Sequence, residues 1–285
     1  MIDSYNDTMH ILKKYKITAN KSLGQNFLIN DDAIEKIVDS SEITDTDLVI
    51  EIGPGLGTLT NELLKKAKKV IAIELDNRMI RILNDRFSLN HNFELINEDV
   101  LKVNLNELIQ KNKKENDIDS VKIVANLPYY ITTPIIMKLI EDKLDIESIV
   151  VMVQKEVAKR ITAVPGSRLS GAITYSINYY CDTEEVTEVD KDSFIPAPEV
   201  DSEVIKLKMR KEPKINVKNE EMFFKLVKVS FMQRRKTLIN GVSNSNLVDK
   251  EQFKQILNRL NIDEKIRGES LTIEQFGKIS DEMSK

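Results

Sequence analysis

The stretch that most constrains this chain is Glu51-Ile52-Gly53-Pro54-Gly55-Leu56-Gly57. Glycine is scarce, nine residues in 285, yet three fall within positions 53–57. They follow an apolar β-rich run at 48–52 and precede a helix-like stretch at 58–68. Such clustering means a backbone that turns sharply and lets something approach it closely. A glycine-rich turn between strand and helix holds nucleotide-like ligands at the helix N-terminus.

The spacing here is G-x-G-x-G, not the G-x-G-x-x-G of dinucleotide sites, and Glu51 would repel a pyrophosphate. A cationic ligand without phosphates fits better. S-adenosylmethionine has an ammonium, a sulfonium and no phosphate. Glu74, 17 residues after Gly57, ends a second apolar run at 70–74 and suits ribose hydroxyls. Asp99 follows a third run at 93–96, where it is placed to accept from an adenine amino group.

Further runs lie at 121–125, 148–153 and 200–207, with helical patterns at 77–86, 134–141 and 168–179. Strand–helix alternation predicts an α/β fold with a mostly parallel sheet covered on both faces. Beyond 211–213 only helical periodicity remains, at 220–231, 250–260 and 273–282. The expected division is therefore 1–212 for the sheet domain and 213–285 for a small all-α domain. Residues 111–117 read as a polar loop.

Composition narrows the chemistry. One cysteine, Cys181, and two histidines, His10 and His91, cannot build a His/Cys metal cluster, so no metal is expected. Neither histidine sits in a motif for a general base. The lone cysteine fits a reducing compartment, and no apolar run nears the roughly 18 residues a membrane helix needs. A cytoplasmic protein is expected. Net charge is −4, but residues 206–236 hold eleven basic residues against three acidic ones. Such a run is either a solvated face or a phosphate-binding one.

The fourth strand runs into Asn126-Leu127-Pro128-Tyr129. Strand ends of α/β sheets point into the ligand crevice. Pro128 fixes its own φ and biases Leu127 toward extended backbone, aiming carbonyls outward. Asn126 offers an acceptor oxygen, and Tyr129 a flat face for a base. An exocyclic amine is a poor nucleophile because its lone pair is delocalised into the ring. Acceptors gripping its hydrogens favour a pyramidal nitrogen and return the lone pair. No strong base is then required.

Together, N-[LIV]-P-[FY] after the fourth strand and E-x-G-x-G-x-G upstream resemble the ribosomal RNA adenine N6-dimethyltransferase family. The likeness extends to Lys21-Ser22-Leu23-Gly24-Gln25-Asn26-Phe27-Leu28, to Gln154-Lys155-Glu156-Val157-Ala158-Lys159-Arg160, to Phe194-Ile195-Pro196-Ala197-Pro198-Glu199-Val200-Asp201-Ser202, and to Phe231-Met232-Gln233-Arg234-Arg235-Lys236-Thr237-Leu238. It spans about residues 20–240, in order.

The resemblance implies a Rossmann-like class I methyltransferase fold: a mixed, mostly parallel seven-stranded sheet plus a small C-terminal all-α domain. It implies S-adenosylmethionine held by Asn26, Leu28, Gly53, Gly55, Glu74, Asp99 and Asn126. Asn126, Leu127, Pro128 and Tyr129 fall on the catalytic motif, and Tyr129 and Phe194 where the target adenine is sandwiched. Arg234, Arg235 and Lys236 fall on RNA-gripping positions, with the 206–236 stretch around them.

Leu127, the 194–202 loop and the 233–236 segment resemble the small-subunit (KsgA-type) branch. That branch dimethylates two adjacent adenosines near the 3′ end of small-subunit RNA, so the implied partner is rRNA in a pre-assembled 30S particle, bound by a monomer. The family's other branch dimethylates a large-subunit adenosine and confers antibiotic resistance. A dinucleotide-dependent dehydrogenase is disfavoured by the glycine spacing and Glu51. A noncatalytic assembly factor is disfavoured by the intact residues 126–129.

Overall fold

A computed structural model describes residues 3–20, 23–233, 235–245 and 247–285. By contact density the chain forms two compact units. One comprises Met1–Ala158 and Glu184–Met209, the other Lys159–Thr183 and Arg210–Lys285.

The first unit begins with α1 (Ser4–Tyr15), the two-residue β1 (Phe27–Leu28) and α2 (Asp31–Ser40). Strand–helix alternation follows: β2 (Asp47–Ile52), α3 (Thr58–Lys66), β3 (Lys69–Glu74), α4 (Asn77–Phe87), β4 (Phe93–Asn97), α5 (Leu105–Asn116), β5 (Ser120–Asn126), α6 (Thr132–Glu141) and β6 (Ser148–Gln154). After α7 (Lys155–Thr162) and α8 (Ala172–Tyr180) come β7 (Cys181–Val189), β8 (Phe194–Ile195) and β9 (Ser202–Met209). The seven-stranded sheet has the order β4-β3-β2-β5-β6-β9-β7. β2 pairs in parallel with β3 and β5, as do β3 with β4 and β5 with β6. β9 runs antiparallel to β6, so the sheet is mixed and mostly parallel, as the resemblance implied.

The central strands form because they are mostly apolar runs buried on both faces, as parallel sheets require, with Glu51 in β2 and Lys122 in β5 as buried charged exceptions. Leu48, Val49, Ile50, Val70, Ile71, Ala72, Ile123, Val124 and Ala125 are all inaccessible to solvent. Strand order reverses at β2, with β3 on one side and β5 on the other. That reversal opens a crevice at the carboxyl ends, the usual ligand position in such sheets.

At the opposite end of the sheet a buried cation is fixed. Lys122 Nζ lies 2.8 Å from Asp47 Oδ2, with both side chains almost fully buried. Lys122 also donates to the Glu42 carbonyl, and Asp47 Oδ2 accepts from Thr44 N at 2.7 Å.

Some expectations change. Residues 111–117 are not a loop, because α5 continues to Asn116. Its buried face is Leu105, Ile109 and Asn112, and Asn112 hides its amide by donating to Leu108 O and accepting from Lys69 Nζ. A polar residue thus supplies part of the helix's inward stripe, which hid the period from an apolar count.

The second unit also recruits a segment the sequence placed in the sheet domain. Tyr175 and Tyr179 of α8 join the core made by α9 (Glu220–Met232), α10 (Leu238–Ser243), α11 (Lys250–Arg259) and α12 (Ile273–Met283). Tyr175 meets Phe276 edge-on at 4.8 Å, and its hydroxyl donates to Leu271 O at 2.6 Å. The aromatic face of α8 is what draws it away from the sheet unit.

Replacing Lys122 by Met strands the Asp47 carboxylate without its cation. We expect a loss of about 3–5 kcal/mol in urea unfolding, whereas Lys122→Met with Asp47→Leu should recover most of it. Equal stability of Lys122→Met and the unsubstituted protein would show that the pair does not hold this end of the sheet.

Candidate active site

The crevice contains one cleft of about 1160 Å³, its open mouth included. Its walls come from residues 23–28, the glycine turn 52–56, the strand ends at Glu74 and Asp99, and residues 126–131. Of the expected cofactor positions, Asn26, Leu28, Gly53, Gly55, Glu74, Asp99 and Asn126 all line it. Leu127, Pro128 and Tyr129 line it as well.

The glycine turn is built from left-handed backbone. Gly53 has φ +69° and Gly57 φ +83°. A Cβ on Gly57 would sit 2.5 Å from the Phe87 ring, so close packing of α4 also excludes a side chain there. At Gly53 the same atom would meet nothing within 4 Å. That position is open because it borders the cleft.

Glu74 is fixed from two directions. Its Oε2 accepts from Gly55 N at 3.1 Å and its Oε1 from Asp76 N at 2.8 Å. Burial nevertheless pushes its carboxyl above the usual range, against those bonds. Glu51, at the foot of the cleft, is 1% exposed, and its Oε2 accepts from the Thr60 hydroxyl at 2.6 Å. Burial pushes its carboxyl up to about 8, opposed by Thr60 and aided by the charge of Glu74. With Glu98 and Asp99, four carboxyl groups border the cleft. With no Lys, Arg or His in its wall, this acidic lining suits a cationic ligand and repels phosphate.

Residues 23–28 are held across the mouth by a clasp that the sequence reading did not single out. Gln25 Nε2 donates to Asp76 Oδ2 at 2.9 Å, while Gln25 Oε1 accepts from Asn20 N at 2.8 Å. Arg78 donates to both Asp76 oxygens and to Thr18 O. Burial opposes ionisation of Asp76, but bonds from Arg78 and Gln25 win and hold its carboxyl below the usual range. The only hint in the sequence was a pair of polar residues, Gln25 and Asp76, flanking positions already chosen.

At the tip of β5, Asn126 Nδ2 donates to the Asn26 carbonyl at 3.3 Å. With its NH₂ so occupied, the amide presents Oδ1 as its remaining acceptor. The Pro128 carbonyl is already used: Ile131 N–H donates to it at 3.2 Å and the Thr132 hydroxyl at 3.0 Å. Pro128 therefore shapes the turn, and the backbone acceptor left beside Asn126 is the Leu127 carbonyl. Tyr129 is half-buried, and its hydroxyl meets Ser202 Oγ at 2.6 Å.

Phe194 does not join this group. It is 3% exposed, absent from the cleft wall, and part of the core cluster with Phe27 and Leu28. Pairing of β8 with β1, Leu28 opposite Phe194, takes the ring inward. The expected second face of an adenine sandwich is thus not offered by Phe194 in this arrangement. Leu75 and Tyr130, both more than half or about half exposed, line the cleft and were not anticipated.

The basic stretch is also redistributed. Lys206 is buried and paired with Glu42 at 2.7 Å, and Arg210 is engaged by Asp182 and the Asn178 carbonyl. Lys206 and Lys208 belong to the sheet unit, the remainder to the helical one. Arg235 and Lys236 are exposed in the turn after α9, and Arg234 lies outside the described residues. Among the described residues, no three His, Cys, Asp or Glu side chains are grouped to hold a metal, and no helix is long and apolar enough to cross a membrane.

Comparison with known proteins agrees with this geometry. The family described as "Ribosomal RNA adenine dimethylase" matches residues 16–285. A protein of Clostridioides difficile (strain 630), named "Ribosomal RNA small subunit methyltransferase A", is 50% identical over 279 residues, 98% of this chain and 96% of its own length. The crystal structure of a dimethyladenosine transferase from Plasmodium falciparum superposes with TM-score 0.73 at 30% identity, covering 89% of this chain and 95% of that one. That of the 23S rRNA methyltransferase ErmE gives 0.66 at 25% identity, covering 91% and 100%. With a family match over nearly its whole length and the cleft residues in place, this chain belongs to the ribosomal RNA adenine dimethylase family.

Proposed function

We propose that this chain transfers methyl groups from S-adenosylmethionine to N6 of two adjacent adenosines near the 3′ end of 16S rRNA, two methyls to each, as a step in small-subunit maturation. The observation that carries the reading is Asn126. Its amide is locked by the Asn26 carbonyl, at a strand tip that shares one cleft with Glu74 and the glycine turn. The small-subunit assignment is favoured over the large-subunit one by relatives: 50% identity to the small-subunit enzyme of Clostridioides difficile against 25% to the 23S enzyme.

When bound, S-adenosylmethionine supplies a sulfonium methyl open to in-line attack by nitrogen. The chain's own part is binding and orientation. Glu74, its oxygens held by two backbone N–H groups, has acceptor capacity left for the ribose hydroxyls. Gly53, where no side chain intrudes, lets the ligand approach the backbone. Asn26, Leu28, Gly55 and Asp99 complete the wall.

In the first transfer Asn126 Oδ1 and the Leu127 carbonyl take the two amino hydrogens of the target base, and in the second they hold the one that remains, while Tyr129 supports its face. After each transfer the alkylated nitrogen gives its proton to solvent, the cofactor's sulfur having left as a neutral thioether. Gripping the hydrogens restores the nitrogen lone pair, so no side chain has to remove a proton first. Holding nitrogen and methyl in register accounts for roughly 7–11 kcal/mol of the barrier, and stacking on Tyr129 for about 1–3 kcal/mol toward displacing the base.

In this reading the protein works in the cytoplasm as a monomer on a pre-assembled 30S particle. The first domain binds cofactor, and the helical unit binds RNA phosphates through Arg234, Arg235 and Lys236. Its affinity should then fall steeply with salt.

Asn126→Ala should lower methyl incorporation into small subunits about a hundredfold or more, with cofactor binding partly retained, in a labelled-cofactor assay. Full activity would remove Asn126 from the mechanism.

Glu51 gives a pH signature. Without a cation beside it, its carboxyl keeps a proton up to about pH 8. A cationic ligand stabilises the carboxylate, so binding below that pH releases a proton. Affinity for S-adenosylmethionine should rise with pH toward about 8 and level off above it. Calorimetry in buffers of different ionisation enthalpy reads the released proton, and Glu51→Gln should abolish it. Buffer-independent heats at pH 7 would mean that Glu51 is not near the cationic group.

A further inference from the structure

We infer that Ser202 is a positioning residue for methyl transfer, whose hydroxyl tethers the Tyr129 phenol and fixes the ring face on which the target base rests. The inference rests on the reading of Tyr129 as the base platform.

Ser202 and Tyr129 are 73 residues apart in sequence, and their hydroxyls are 2.6 Å apart. Ser202 opens β9, fully buried, in register with Gln154 at the end of β6. Tyr129 follows β5 on the other side of β6. The bond therefore reaches across a strand to an anchor clamped by antiparallel pairing. The near end of the ring is equally constrained. Tyr129 follows Pro128, whose φ is fixed by its ring and whose carbonyl is held by Ile131 and Thr132.

A tyrosine ring on a flexible turn samples several χ1 and χ2 settings, and only some present a face to the cleft. With both its Cα and its hydroxyl fixed, this ring keeps one. Burial pushes the phenol above its usual range, against the Ser202 bond, and the nearby Asp201 charge adds to the push. The hydroxyl therefore stays protonated and the tether intact at neutral pH. Ser202 touches neither base nor cofactor in this account; it acts through Tyr129.

The test compares Ser202→Ala, Ser202→Thr, Tyr129→Phe and the double variant Ser202→Ala/Tyr129→Phe. Ser202→Ala should cut kcat/KM for small subunits by about tenfold, the scale of one net hydrogen bond. Cofactor affinity should change by less than about twofold, and Ser202→Thr should restore most of the rate. Tyr129→Phe should show the same loss, and the double variant no more than either single one, since all three break one bond. Multiplying losses, or an unimpaired Ser202→Ala, would overturn the inference.

A second measurement needs no activity. In protein carrying 3-fluorotyrosine, the ¹⁹F resonance missing from Tyr129→Phe should shift in Ser202→Ala and return in Ser202→Thr. An unmoved resonance would overturn the tether. Failure of the unsubstituted chain to methylate small subunits would instead sink the functional reading and leave the resonance result standing.

Discussion

Everything in the cleft hangs on the two backbone N–H groups that hold Glu74. Gly55 N–H comes from the turn after β2 and Asp76 N–H from the turn after β3. One carboxylate thus sets the spacing of two adjacent strand ends. From Asp76 the chain of contacts continues through the Gln25 amide to residues 23–28, and from the Asn26 carbonyl to the Asn126 amide. The site proposed to bind ribose and the site proposed to grip the target amine are therefore linked by a short run of hydrogen bonds.

The same arrangement has an electrostatic cost. Glu51 and Glu74 are both withdrawn from water, and burial raises both carboxyls; the Glu74 charge adds to the push on Glu51, and the Asp76 charge to that on Glu74. A fold seeking only stability would place apolar residues there. Retaining two acids makes sense where a positive ligand offsets their burial. It also explains why Thr60, rather than a lysine, satisfies Glu51: a fixed cation would occupy the place that the ligand's charge has to take. Lys122, by contrast, neutralises Asp47 at the far end of the sheet, where no ligand is required.

Much of this was legible from residues alone, for a definable reason. The strands from β2 to β6 are mostly apolar runs, broken only by single charged residues such as Glu51, Glu94 and Lys122, and their ends carry the glycine turn, Glu74, Asp99 and Asn126. Linear order and sheet geometry then place those residues together, because parallel strands bring all their carboxyl ends to one edge. What could not be read depends on contacts between distant segments. Phe194 was assigned to the cleft by resemblance, but the pairing of β8 with β1 turns it into the core. Gln25, Asp76 and Ser202 are ordinary polar residues until the fold sets each beside a partner 51 or 73 positions away. Residues 111–117 read as a loop because Asn112, not an apolar residue, carries the inward face of this end of α5.

The basic stretch shows the same limit in charge. Counting lysines and arginines along 206–236 treats them as one surface. In the fold Lys206 and Lys208, two residues apart, share one face of β9, yet Lys206 is buried and paired with Glu42 while Lys208, nearer the strand's end, is exposed. Arg210 is spent holding the Asn178 carbonyl and Asp182 within the helical unit. Charge available to a phosphate backbone is consequently set by which cations lack an internal partner, not by how many occur in sequence. Arg235 and Lys236 are exposed in the turn after α9, whereas Lys206 is buried against Glu42 and Arg210 holds Asp182.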